Sequence, residues 1–378
     1  MIPLFVSAFL QNTGMTIVLI GVIFYAIGRF EASLFQLGIL SGLGAFVFMA
    51  GAKSTKYLAH RFSPKQLTLF GGFLFALISA SFPFLPSLSS LFWVYPFASL
   101  AIALFWPSLE NWILLESDSN RLKQNVSFYN LSWSPGQIIA PFAAGWLFER
   151  GMALPIWAGV LVTVPVFFLL KAYPLRACAE RSRSAPKIEL KPQPSSGGPP
   201  SKFLITCWLS NVAAWFAAAI FRNLFPKYGL TLGLSPSTIG AFLLLIGIGQ
   251  VLFFFLLGRF HGWENKPNFL FFWEAAAILA LLAIAVRYQP LLWAVSFFAF
   301  GCFAGVAYSA SLFVSLKERG PHGGGASSHE ALIGMGIFLG PIVGGSVGRY
   351  FGVQAPYVAA AVVVGAVLLV QYWLLRNR

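Results

Sequence analysis

Ionisable and amide side chains are scarce in this chain, and several of them fall inside long apolar runs, where a polar group is costly unless it has a task or a partner. Three glutamates, Glu110, Glu274 and Glu330, lie within or at the edge of such runs. A carboxyl group with no Lys or Arg beside it in an apolar setting can take up and release a proton. Glu110 is the first candidate for proton coupling. Glu330, next to His329, reads as a second proton-handling group or as a cap or gate at the start of its run. Gln11 and Asn12 fall near the middle of the first run and Asn211 at the equivalent depth of the seventh. Each of these amides can contact a substrate or bond to a neighbouring helix, a contact that typically contributes about 0.6 kcal/mol in membranes.

Aromatic residues accompany the amides. Asn130, Trp133 and Gln137 follow an i, i+3, i+7 spacing and share one helical face, and Trp106 lies one turn before Glu110. Trp215, Gln250 and Tyr308 complete the set of candidate substrate contacts, because rings can stack on a solute; packing or interfacial roles are the alternative. Metal and catalytic constellations are not expected. The histidines at 60, 261, 322 and 329 fall in loops or at their edges without zinc-ligand spacing, and Cys178, Cys207 and Cys302 lie far apart. The sequence therefore implies no cofactor, no metal and no enzyme.

The elements that must position these residues follow from composition. The chain of 378 residues is 58% hydrophobic, 17% aromatic and 10% charged, too few charges to cover a water-soluble surface. Lipid is the solvent this surface suits. About 20 apolar residues in a helix cross the hydrocarbon core, with every backbone polar group satisfied internally. Twelve runs qualify: 2–28, 33–51, 66–84, 89–115, 126–148, 153–170, 203–226, 236–258, 267–286, 290–316, 330–349 and 355–375. The first lacks the basic lead and cleavage site of a secretory signal and reads as a membrane span.

The net charge of +14 points to orientation rather than to nucleic acid. All but six of the 25 Lys and Arg residues (Arg29, Arg150, Arg222, Lys227, Arg287 and Arg349) fall on one set of alternate connections. Positive loops stay in the cytoplasm, so both termini are expected there, in a multi-pass protein of the plasma (cytoplasmic) membrane. Residues 173–202, rich in Pro, Gly, Ser and basic side chains, read as a cytoplasmic linker between bundles at 1–172 and 203–378. The halves also repeat. Gly136, Pro141 and Gly145 recur 200 positions later as Gly336, Pro341 and Gly345, Asn12 pairs with Asn211, Gly38 with Gly240, and Trp106 with Tyr308.

Two stretches carry a family resemblance. Leu58-Ala59-His60-Arg61-Phe62-Ser63-Pro64-Lys65 resembles the Leu-Ala-Asp-Arg-x-Gly-Arg-Lys signature of the major facilitator superfamily, with Lys56 in place of the leading Gly, His60 in place of Asp and Ser63 in place of Gly. Gly340-Pro341-Ile342-Val343-Gly344-Gly345 is similar to the Gly-Pro-x-x-Gly-Gly element of its drug and proton antiporter branch, which there belongs to span five; here span five has the weaker Ala140-Pro141-Phe142-Ala143-Ala144-Gly145. The branch's span-four Arg is missing. The resemblance implies an all-α integral membrane fold, with twelve transmembrane helices in two pseudo-symmetric six-helix bundles working as a monomer. It implies a central path lined by spans one, four, seven and ten, and a peripheral, structural Glu274. Arg61, Pro141, Gly340 and Pro341 then carry conformational roles. The reading that results is a secondary transporter of small organic solutes, proton-coupled, with export of drugs or metabolites favoured. Proton-coupled uptake of a sugar-like or polar nutrient and a non-transporting receptor or scaffold are the alternatives.

Overall fold

The structure, a computed structural model, describes residues 1–116, 122–173, 200–260, 262–263, 266–286, 288–319 and 325–376. The expected linker at 173–202 lies for the most part outside the described residues, as do Cys178, His261, His322 and the side chain of Asn130. Among the described residues there are twelve α-helices and no strand: α1 Ile2–Phe30, α2 Leu34–Leu58, α3 Pro64–Ser81, α4 Leu88–Glu116, α5 Leu122–Phe148, α6 Leu154–Ala172, α7 Lys202–Thr231, α8 Pro236–Arg259, α9 Pro267–Val286, α10 Pro290–Arg319, α11 Gly325–Phe351 and α12 Ala355–Arg376. Eleven are long and apolar enough to cross a membrane. The remaining one, α5, carries Ser127, Asn130, Ser132, Ser134 and Gln137 along its length.

Local sequence explains several helix ends. Ser63 and Gln66 form a capping box at α3, each side chain bonding to the other's backbone N–H, and Pro64 occupies the first turn where its missing N–H is harmless. Ser201 caps α7 by accepting from the Leu204 N–H at 3.0 Å. Gly352, at φ 92°, follows the end of α11 in the left-handed region that glycine adopts most easily. Several helices run further than the apolar pattern suggests. The start of α11 at Gly325 brings His329 inside the helix, and the end of α7 at Thr231 brings Lys227 inside its own.

The helices sort into two compact units. The first holds residues 1–32, 43–188 and 235–240, and the second holds 33–42, 189–234 and 241–378. In the first, α1 packs on α5 and α6, and α3 packs on α4 and α6. In the second, α7 packs on α11 and α12, and α9 packs on α10 and α12. The same helix pairs, six positions later, build the second unit. Each unit also takes in a short segment distant in the chain. Within the second, a Cβ on Gly38 would run into the Pro341 carbonyl; within the first, a Cβ on Gly240 would run into the Pro141 carbonyl. Those four positions are two of the sequence-matched pairs, and only glycine permits so close an approach of backbones.

Much of the aromatic content is core. In the second unit the Phe221 ring centroid lies 4.8 Å from Phe297 and 4.7 Å from Phe300, and Tyr228 lies 5.4 Å from both Trp293 and Tyr357. Offset and edge contacts of this kind add to the burial of large rings. Cys207 and Cys302 are buried free thiols.

Candidate functional site

In the first unit α4 and α5 bring three candidate groups into one cluster. Trp106, half-buried on α4, packs edge-on against Tyr129 of α5 with centroids 6.3 Å apart. The Tyr129 hydroxyl donates to Glu110 Oε1 at 3.0 Å, and Glu110 keeps an exposed surface. A carboxyl held by a phenol and open on its other side can exchange a proton without unfolding its surroundings. Asn12 serves a different contact: its buried amide donates to the Trp133 carbonyl at 2.8 Å and ties α1 to α5. Trp133 is half-buried against a core of Leu4, Ala8, Phe105 and their neighbours, and Gln137 is half-buried one turn further on.

In the second unit the polar centre lies around His329. Its side chain is fully buried, with Nδ1 2.9 Å from Ser311 Oγ of α10 and 3.4 Å from Asn211 Nδ2 of α7. An amide N–H facing Nδ1 makes that nitrogen the acceptor, which leaves the ring proton on Nε2. Neither His329 Nε2 nor Asn211 Oδ1 has a hydrogen-bond partner among the described residues. A donor and an acceptor are thus buried unpaired, a state that costs about 1–3 kcal/mol per group and that a polar solute can relieve. Tyr308 lies edge-on to the imidazole at 4.6 Å and also packs on Trp215 at 6.4 Å and Phe254 at 5.2 Å.

The two clusters correspond. Tyr129 and His329 are 200 positions apart, the offset that relates Gly136 to Gly336, and each packs on one member of the Trp106 and Tyr308 pair. The sequence pattern singles out neither as a site residue: Tyr129 adjoins Asn130, and His329 falls just ahead of the apolar run at 330–349, whereas the helix begins at Gly325. Reading the 200-residue offset through position 329 would have found it.

The other candidates fall elsewhere. Gln11 is buried and turned towards α3, its Oε1 3.9 Å from where a Cβ on Gly72 would stand, and its amide has no partner among the described residues. The Gln250 backbone approaches Gly305 of α10. Glu330 is exposed beside His329. Gly340 lets α11 approach the Phe216 carbonyl of α7. Arg61 is exposed after α2, and Lys65, in the first turn of α3, donates to the Lys171 and Tyr173 carbonyls at 3.0 and 2.6 Å, which caps the end of α6. A cavity of about 360 Å³ in the first unit, lined by α3, Phe105 and α6, contains none of the candidates.

Glu274, expected as structural, proves to be fully buried on α9. Its Oε1 accepts from Gln371 Nε2 of α12 at 2.8 Å. Among the described residues no group of three or more His, Cys, Asp or Glu side chains could hold a metal ion.

Comparison with known proteins agrees with this architecture. The chain is 24% identical over 290 residues to a Bacillus subtilis (strain 168) protein named "uncharacterized MFS-type transporter YfkF", covering 74% of this chain and 71% of that one. Among solved structures it is similar in fold to the nucleoside transporter NupG, with TM-score 0.77, 14% identity and coverage of 100% and 99% of the two chains. It is likewise similar to a bacterial homologue of the human lysosomal transporter Spinster, with TM-score 0.73, 16% identity and coverage of 100% and 97%. A family model described as the Major Facilitator Superfamily matches residues 4–328. Twelve helices in two repeating units, with polar and aromatic groups inside the bundle, are therefore those of a membrane transporter of small molecules, and the chain belongs to the major facilitator superfamily.

Proposed function

We propose that this transporter moves a small, partly aromatic organic solute in exchange for protons, with export as the favoured direction. The observation that carries the reading is the pair of repeat-related clusters, Trp106–Tyr129–Glu110 and Tyr308–His329–Asn211, each joining a ring to polar groups. Rings bind the apolar part of a solute by stacking, and unpaired buried groups select its polar part. Glu110 takes the coupling proton, with Tyr129 steadying the carboxyl. Trp215 lies on the ring side of the second cluster, and Glu330 guards its cytoplasmic approach. Asn12, Trp133, Gln137 and Gln250 act more as supports for the helices that carry these groups, and Asn130 extends the α5 stripe. Bundles at 1–172 and 203–378, joined by the linker at 173–202, alternate access by rocking. Arg61, Pro141, Gly340 and Pro341 take part in that motion. The working unit is a monomer in the cytoplasmic membrane with both termini inside, following the positive-loop count.

Proton-linked uptake of a polar nutrient is the second reading. It is favoured by the buried amides of Asn12 and Asn211, and the likeness in fold to a transporter named for nucleosides agrees with it. Vesicles given a pH gradient and a panel of labelled solutes separate the two. Export predicts accumulation in inverted vesicles, uptake in right-side-out ones. In either case Glu110→Gln is expected to lower gradient-driven accumulation at least tenfold while leaving solute exchange in place. Unchanged accumulation would remove Glu110 from the coupling path.

A further inference from the structure

The second unit holds a polar group that the proposed function does not use. Glu274 on α9 is enclosed where α9 meets α7 and α12. Its Oε1 accepts from Gln371 Nε2 at 2.8 Å, and the same amide nitrogen donates to the Thr206 carbonyl of α7 at 3.0 Å. Three oxygens are then left over: Glu274 Oε2, Gln371 Oε1 and Ser210 Oγ, none with a partner among the described residues. Ser210 faces the Glu274 carboxyl without reaching it at hydrogen-bond distance.

Charge makes this arrangement informative. A buried carboxylate needs a cation or several donors, and the penalty for leaving one with a single amide donor is several kcal/mol. No Lys, Arg or His forms an ion pair with Glu274 among the described residues. On α7 the titratable group close to it is Cys207, with Lys202 at the helix start and Arg222, Lys227 and Tyr228 more than three turns beyond Ser210. On α12 these groups are Tyr357, Tyr372 and Arg376, and on α10, among the side chains the structure describes, they are Cys302, Tyr308, Lys317 and Glu318, the last taken up by Ser201. Glu274 is the one titratable residue of α9. One proton on Oε2 resolves the mismatch, because the acid O–H then donates to Gln371 Oε1 or Ser210 Oγ after a small rotation.

We propose that Glu274, Gln371 and Ser210 form an exchangeable proton-binding site inside the second unit, separate from Glu110. On entry an O–H bond of hydronium breaks as the Glu274 Oε2–H bond forms, leaving water; on release that bond breaks and a water molecule takes the proton to become hydronium. Its position follows from the helices. Ser210 is adjacent in sequence to Asn211, so a change at the carboxyl moves the same turn of α7 that holds His329. This inference deepens the proton-linked reading above and rests on it for its purpose, whereas the site itself can be tested without any solute.

The probe is the proton. Infrared spectra of the full chain in lipid at neutral pH should contain the carbonyl band of a protonated carboxyl, and Glu274→Gln should lose it. The band should shift when folded protein is moved into deuterated water and should shrink as pH is raised. Replacing choline by sodium at constant pH should leave it unchanged. Should Glu274→Gln fail to fold, Gln371→Leu retains the acid, and its carbonyl band should move to higher frequency as the amide donor is lost. A spectrum that Glu274→Gln does not alter overturns the site. A band indifferent to pH and deuterium makes Glu274 a fixed structural acid, and a band abolished by sodium makes the three oxygens a sodium site; either result also overturns the proposal. Glu110→Gln flux tests the wider reading separately, so the two can fail independently.

Discussion

A hydrogen-bond partner decides what a buried amide does. Asn12 and Asn211 are sequence equivalents, yet Asn12 donates to a main-chain carbonyl while Asn211 faces an imidazole and keeps a free oxygen. The first contact is a helix-to-helix tie, and the second is half of the proposed recognition pair. Asn12→Leu should therefore destabilise the fold by about 0.6 kcal/mol and leave ligand selectivity unaltered. His329→Phe removes the Nε2–H donor and also takes the imidazole acceptor from Ser311 and Asn211, so it should lower stability by about 1–3 kcal/mol. Its affinity for ligands recovered from a thermal-shift panel should fall about tenfold, because the polar end of the solute loses its partner. Equal affinities in the two proteins would show that His329 is only core.

Elements meet where the sequence spends glycine and proline. Gly38 of α2 and Gly240 of α8 each face the carbonyl of an in-helix proline, Pro341 of α11 and Pro141 of α5, at contacts with no room for a side chain. The carbonyl a proline frees is that of the residue four positions earlier, so these contacts are steric: glycine leaves room for the neighbouring backbone to approach the proline's own carbonyl. Gly240→Val should lower stability by about 1–3 kcal/mol through overpacking, read as a drop in unfolding temperature, and Gly38→Val should do the same. Valine at Gly258, where nothing stands within 4 Å of the Cβ position, is the control and should have little effect. Spacing alone marks these glycines and both prolines, but not that they touch, because the repeat gives equivalence and not contact.

At the scale of the whole molecule, residues 235–240 pack in the first unit although they lie far along the chain from it. One surface tie holds this segment: Glu149 Oε1 accepts from the Ser237 N–H at 2.8 Å, at the first turn of α8. The Ser237 hydroxyl and N–H keep the Glu149 carboxyl below its ordinary value. A depressed carboxylate stabilises the fold above its unfolded value, and the contribution is lost as pH falls through the folded one. Glu149→Gln should thus unfold at a slightly lower temperature than the native chain near neutral pH, and the gap should close on acidification below the usual glutamate range. A gap that widens in acid would refute the tie.

Composition, loop charge and the internal repeat determined a duplicated helical membrane bundle without reference to contacts, because lipid solvation and the 3.6-residue period act on each helix separately. The start of α3 at Pro64, two residues ahead of the apolar run at 66–84, rests on the purely local bonding of Ser63 and Gln66. Tertiary structure alone decided which polar groups meet. His329 enters the buried centre because α11 begins at Gly325, and Glu274 gains its amide from α12, 97 residues away. Gln11 turns to α3 and leaves Asn12 to bond α5, a difference that neighbouring positions on one helix cannot reveal. Helical period gives the face a residue occupies; only packing gives the partner across it.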